Sequence, residues 1–197
     1  YGTLLRGLIA AGPRAVVTGR VLAAEPDRPG GFAPALVDSA APAEYAGRIW
    51  SDVLAAGHMA MYRSAITEVG PFDERLGAGG RFPAADDNEF GFRLLEAGYR
   101  IVYEPRAVLY HRAWRRARDF LPLRWSYGRG KGGFYAKHLS LRDPYILGRV
   151  TWDLGRRVLW LPYRIVRRQR RAIGDVVYGA GVLRGLIEWL WTEPRRR

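Results

Sequence analysis

An abrupt change of charge at residue 112 constrains this chain more than any other feature. Residues 1–111 hold 11 Arg against 13 Asp or Glu, whereas residues 112–171 hold 17 Arg or Lys against Asp119, Asp143 and Asp153. A stretch so one-sided is built differently from its nearly neutral neighbour and calls for different surroundings. We therefore expect two parts: an α/β part over residues 1–112 and a basic, amphipathic helical tail over residues 113–197. The 197 residues suit one domain with an appendage. With no cysteine, a disulfide scaffold, a zinc–thiolate site and a cysteine nucleophile are excluded. Seven Trp, eleven Tyr and seven Phe argue against wholesale disorder. No run of about 18 uncharged apolar residues marks a membrane span. The first residues, Tyr1-Gly2-Thr3, carry neither a starting Met nor a signal-peptide layout, so the chain reads as cut from something longer.

In the first part, Leu4, Leu5, Leu8 and Ile9 have helical spacing, stopped by Gly12-Pro13. The β-branched run Ala15–Leu22 predicts a strand. Pro26, Pro29, Pro34, Pro42, Gly30 and Gly31 mark residues 25–43 as a long surface loop. Residues 64–70 predict a short helix, with Ser64 as cap, Glu68 in the first turn and Gly70 as terminator. The stretch Gly77–Pro83 predicts a mobile, glycine-rich loop. After it, Phe90, Leu94 and Leu95 form a helical stripe closed by Gly98, and Tyr99–Tyr103 and Ala107–Tyr110 predict two short strands split by Glu104-Pro105. Helices and strands alternate, which is the α/β pattern.

In the tail, Gly128–Gly133 predicts a flexible basic turn. From Tyr145 to Trp191, Val158, Leu159, Leu161, Ile165 and Val166 alternate with Arg156, Arg157, Arg164, Arg167 and Arg168 at helical spacing. Helices of this composition suit a membrane interface, with the apolar side down, the arginines at phosphates, and Trp152, Trp160, Trp189 and Trp191 as anchors.

Asp86-Asp87-Asn88-Glu89 places four potential oxygen ligands directly before a helix. Two readings are open. Asp and Asn there can cap the helix and complement its dipole. A carboxylate at a helix start, behind a glycine-rich loop, can also act as a general base toward a substrate hydroxyl. His111 supports the second, because one helix and two strands can return it to the same edge. His58 sits among small apolar residues, where a packed histidine is the plainer expectation.

At this point the residues carry a resemblance. Gly57-His58-Met59-Ala60-Met61-Tyr62-Arg63, Val69–Gly77, Asp86–Tyr99 and Tyr103–Arg112 resemble, in order and spacing, the acceptor-side half of family-two glycosyltransferases. The resemblance covers roughly residues 15–112. It implies a partial GT-A fold, a Rossmann-like α/β sandwich, with inverting transfer of a sugar from a nucleotide-sugar donor to a saccharide or lipid-linked acceptor. The divalent metal, Mg²⁺ or Mn²⁺, is expected with the donor-binding half. The family's usual Glu-Asp appears as Asp86-Asp87, so Asp87 corresponds to the catalytic base and Asp86 to its companion. Arg93 matches the arginine of the following helix, and Gly57 and His58 fall on the substrate-binding side. His111 matches a histidine at the end of the closing strand that in some relatives approaches the metal or diphosphate. The family's Asp-x-Asp motif is absent from the sequence, so the chain is expected to be the C-terminal part of a transferase. The basic tail is similar to those of members working peripherally on the cytoplasmic face of the cell membrane in cell-envelope, polysaccharide or glycolipid synthesis.

The alternative is a non-catalytic basic module. Arginines interleaved with Trp and Tyr suit RNA as well as anionic lipid. Because the cations fall on helices with an apolar face, an anionic membrane is the expected partner and nucleic acid is not.

Overall fold

The computed structural model describes residues 1–54 and 57–193. These form two compact units, one made of residues 1–72 and 87–117, the other of residues 73–86 and those from 118 onward.

The first unit contains α1 (Gly2–Ala11), β1 (Ala15–Pro26), β2 (Ala43–Tyr45), β3 (Met59–Met61), α2 (Arg63–Val69), α3 (Asp86–Glu96) and β4 (Arg100–Ala113). The sheet order is β2-β4-β1-β3; β1 and β4 are parallel, and the outer strands run antiparallel to their neighbours. Successive side chains of a strand point to opposite faces, and β1 shows the consequence. Val16 enters a cluster with Leu54, Ala65, Phe90, Leu94, Leu95, Tyr99 and Ile101, whereas Val17 joins Leu4, Leu8 and Ala107. Thus α3 covers one face of the sheet and α1 the other. Each fully buried Phe90, Leu94 or Ile101 contributes about 1.5–3 kcal/mol of burial.

Two local expectations are corrected here. Residues 100–113 form one strand rather than two. Pro105 has no N–H to give to the ladder, and the strand absorbs it in a bulge: Gly19 pairs with Glu104, but the next residue, Arg20, pairs with Val108. Ser64 does not cap α2; the helix starts one residue earlier, after Tyr62, with no side-chain cap bond. Glu68 consequently falls in the last turn, where it accepts from Arg14 at 2.7 Å and from the Tyr99 hydroxyl at 2.8 Å.

The second unit contains α4 (Phe120–His138), α5 (Tyr145–Val166) and α6 (Arg170–Thr192). Gly128–Gly133 is no flexible turn but the interior of α4, and Gly128, Gly130, Gly132 and Gly133 are all buried. The reason is close backbone approach to α6. A β-carbon on Gly128 would stand 2.2 Å from the Tyr178 carbonyl oxygen, and one on Gly181 2.7 Å from that of Trp125. Glycines four apart on both helices make a small-residue seam of the kind that lets helices touch.

Nor do residues 77–83 form a mobile loop. The Gly77 N–H donates to the Phe82 carbonyl at 2.9 Å, and the Phe82 N–H donates to Arg75 at 2.8 Å. Phe82 is fully buried, 4.9 Å from the Trp189 ring. Gly77 is required for a left-handed turn, φ 90°, rather than for mobility. Trp189 is correspondingly a packing residue, stacked under the Arg75 guanidinium at 4.3 Å, and not an interfacial anchor. Trp152, Trp160 and Trp191 are exposed.

The polar edge of α5 is satisfied from within. Arg157 donates to Asp175 at 2.7 Å, Arg164 also binds Asp175, and Arg156 donates to Asp153 at 3.0 Å. Asp153 further accepts from the Tyr178 hydroxyl at 3.0 Å and the Tyr135 hydroxyl at 3.3 Å. Burial opposes its charge, but Arg157, Lys131, Tyr178 and Arg156 outweigh that and hold the carboxyl below its ordinary range. These arginines therefore face carboxylates instead of lipid phosphates. What α5 presents outward is apolar: Val158, Leu159 and Val166 are 67%, 76% and 79% exposed. No described helix is long and apolar enough to cross a membrane.

Candidate functional site

The carboxylate pair stands at the first turn of α3. Ala85, just before it, adopts a left-handed backbone (φ 69°), an uncommon state for a residue with a β-carbon and of the order of 1 kcal/mol in cost. Asp86 lies over the Cα of Gly77: a β-carbon there would meet the Asp86 carboxyl carbon at 2.7 Å. Gly77 is thus needed both for its turn and to leave room for Asp86. Asp87, half-buried, accepts the Asn88 backbone N–H on Oδ1 at 2.8 Å. It therefore takes part in helix-start bonding, which is compatible with either role set out for it.

Glu89 belongs with the scaffold and not with the ligands. None of its side chain is exposed, and it receives Arg93 Nε at 2.8 and 3.0 Å. Arg93 continues outward from this pair. Its Nη1 donates to the Val69 carbonyl and, at 3.2 Å, to that of Gly70; its Nη2 donates to Pro71 at 2.7 Å. The guanidinium also lies 5.2 Å from the centre of the Phe90 ring. One planar fork thereby ties α3 to the exit of α2. Sequence reasoning proposed Arg93 for substrate and missed this clamp, although the four-residue spacing of Glu89 and Arg93 signals it.

His58 is buried, and its Nε2 lies 2.9 Å from the Ala107 carbonyl oxygen at the bulge of β4. A carbonyl only accepts, so Nε2 carries the proton. The ring rests on Gly19, where a β-carbon would stand 2.6 Å from Nε2, and the His58 carbonyl accepts from Thr18 at 2.9 Å. Gly57 is exposed, with open space where a side chain would start; Ala55 and Ala56 of the same small-residue patch lie outside the described residues. His111 stands near the end of β4, paired with Ala23, and its Nδ1 contacts the Arg112 carbonyl at 3.0 Å. Among the described residues no three His, Asp or Glu side chains gather as a cation site requires. His111 and the α3 carboxylates do not fit a metal by themselves.

In the second unit Asp73 is a strongly held carboxylate. It accepts Arg75 Nη2 and Lys137 Nζ, both at 2.7 Å, and the Arg75 backbone N–H at 3.1 Å. Burial opposes its charge, yet these donors depress its pKa far below the usual carboxylate range.

Sequence comparison gives the class. The chain is 32% identical over 84 residues to the pre-mycofactocin glycosyltransferase of Mycobacterium tuberculosis, in strains CDC 1551 / Oshkosh and ATCC 25618 / H37Rv. The match takes in 43% of this chain and 17% of that protein, so the chain spans less than a fifth of the relative. The chain is therefore related to a glycosyltransferase. No family model and no solved structure matches it.

Proposed function

We propose that this chain is the acceptor-side part of an inverting, family-two glycosyltransferase of GT-A type, working on the cytoplasmic face of the membrane in cell-envelope polysaccharide or glycolipid synthesis. The observation that carries the reading is Asp87, set by the strained Ala85 at the first turn of α3, in a chain related to a glycosyltransferase. In the reaction, Asp87 takes the proton from an acceptor hydroxyl as its oxygen attacks the anomeric carbon of a nucleotide-sugar. The carbon–oxygen bond to the nucleoside diphosphate breaks, and its electron pair leaves with the diphosphate. Asp86, seated over Gly77, orients the acceptor. Arg93 and Glu89 hold α3 at the angle that sets Asp87 in place. A divalent cation belongs to this chemistry, but its ligands are assigned to no residue here and no step is routed through it.

The test is Asp87→Asn in the full-length transferase. The amide keeps a capping oxygen, so stability changes by less than about 1 kcal/mol. Turnover falls about 10²- to 10⁴-fold, because the proton acceptor is gone. Transfer within a few fold of wild type would return Asp87 to a capping role.

A further inference from the structure

Between α5 and α6 runs a groove of about 360 Å³, within the size range of ligand sites. Leu154, Val158, Leu161, Val176, Gly179 and Leu183 line it. The charged groups at its side, Arg157 and Asp175, bind each other at 2.7 Å, so the groove presents hydrocarbon to whatever enters. Its rims continue outward as apolar surface: Leu159 and Val166 on α5 and Ile173 and Ile187 on α6 are each more than half exposed. An apolar surface of this extent marks a contact site.

The turn joining the two helices has the opposite chemistry. Arg167, Arg168, Arg170 and Arg171 are exposed and, unlike Arg157 and Arg164, meet no carboxylate among the described residues. The first turn of α6 has no acidic residue and no side-chain cap, and two of these arginines stand in it. An anion is what that end lacks. A second copy seated symmetrically on this same face does not supply it, because that face brings the same arginines. A soluble polyanion satisfies the arginines but leaves the groove facing water.

One kind of partner offers a hydrocarbon chain and an anionic head together. We propose that the α5–α6 hairpin lies in an anionic lipid leaflet, with one acyl chain of an anionic phospholipid in the groove and its phosphate on Arg167, Arg168, Arg170 and Arg171. The inference rests on the membrane-surface part of the proposed function and gives it a site. Its readouts are lipid binding alone, so its failure is distinguishable from a failure of sugar transfer.

The experiment uses the full chain. Binding to phosphatidylcholine vesicles containing phosphatidylglycerol should fall about 600-fold when the four arginines are replaced by Gln, each cation contributing roughly fivefold. Short-chain phosphatidylglycerol, held below its micelle concentration, should raise the melting temperature. That rise should vanish in Gly179→Leu, where the new β-carbon meets only Leu154 Cδ2 at 3.8 Å and the bulk beyond it fills the groove. Leu183→Asp, at an exposed groove position, gives the same loss without relying on one fold-sensitive change. No melting shift with the wild-type chain, or an unchanged shift in both groove variants, would overturn the chain site. Equal binding to pure phosphatidylcholine at high salt, or binding to RNA and not to vesicles, would overturn the headgroup assignment.

Discussion

A β-carbon on Gly132 of α4 would stand 2.1 Å from the carbonyl oxygen of Val182 on α6, and one on Gly185 would stand 2.0 Å from that of Arg129. Both obstacles are backbone, which no rotamer change can move. Gly132→Ala and Gly185→Ala must therefore separate the helices, at a cost of about 1–3 kcal/mol each or more. Gly155→Ala is the control, because nothing lies within 4 Å of its β-carbon and it sits inside α5. That change should be neutral or stabilising by up to about 1 kcal/mol. Urea denaturation of the three variants measures this. Equal stability for all of them would mean that α4 and α6 are not in backbone contact.

Asp73 gives the second unit a pH dependence with a definite sign. Its folded-state pKa is depressed below the ordinary value of about 3.9, so the unfolded chain takes up the proton first as pH falls. The stabilisation is whole above about pH 5 and is lost as pH drops through about 4 toward the lower folded value. Asp73→Asn abolishes this contribution. The variant should melt lower at pH 7, having lost charged hydrogen bonds worth about 1.5–3 kcal/mol each, and should lose less on acidification than wild type. Parallel melting curves from pH 7 to 3 would contradict the assignment.

What the sequence disclosed and what it hid follow from the range of the interactions. The β-branched run that includes Val16 and Val17, the stripe of Phe90, Leu94 and Leu95, and the terminators Gly12, Gly70 and Gly98 are local signals, and each has its expected place. The glycines of 77–80 and 128–133 are locally ambiguous. The partners of the second group lie far along the chain, at Tyr178 and Val182, so a close approach looked like mobility; Gly77 is bound locally by Phe82, but the ring that fixes Phe82 is the distant Trp189. The amphipathic stripe of α5 was legible, but not that Asp153 and Asp175 would claim its arginines from 18 or fewer residues away in sequence. At the candidate site, the position of Asp86-Asp87 at a helix start was readable. The inward turn of Glu89 had only its i,i+4 spacing to Arg93 as a sign, since the same carboxylate chemistry serves a ligand and a buried clamp.

Limited trypsin digestion tests the burial of the α4 glycine segment. Lys131 is buried, and Arg129 binds Glu188 at 2.8 Å within a packed helix. Cleavage there requires α4 to unfold locally. Arg142, in the connection beside the fully exposed Leu141, and the Arg167–Arg171 turn should be cut first, with Arg129 and Lys131 surviving until the helices open. Mass spectrometry of early fragments identifies the sites. Early cuts after Arg129 or Lys131 would restore the flexible-turn picture.

The last prediction separates two roles for Arg93. If it served substrate directly, its removal would leave the fold intact and raise KM. The geometry instead has its guanidinium engaged by Glu89 and by the carbonyls of Val69, Gly70 and Pro71. Arg93→Ala takes the guanidinium from a Glu89 that has no exposed surface, and breaking such a buried pair costs about 3–5 kcal/mol. Arg93→Lys should recover only part of this, because one ammonium cannot span a carboxylate and three carbonyls as a planar fork does. Glu89→Gln in the Arg93→Ala background should restore some stability by removing the stranded charge, which a substrate-contact role would not produce. In the full-length transferase, the same variants should lose kcat more than KM, as misplacement of Asp87 would cause. Arg93→Ala with wild-type melting behaviour and a raised KM alone would make Arg93 a substrate-binding residue after all.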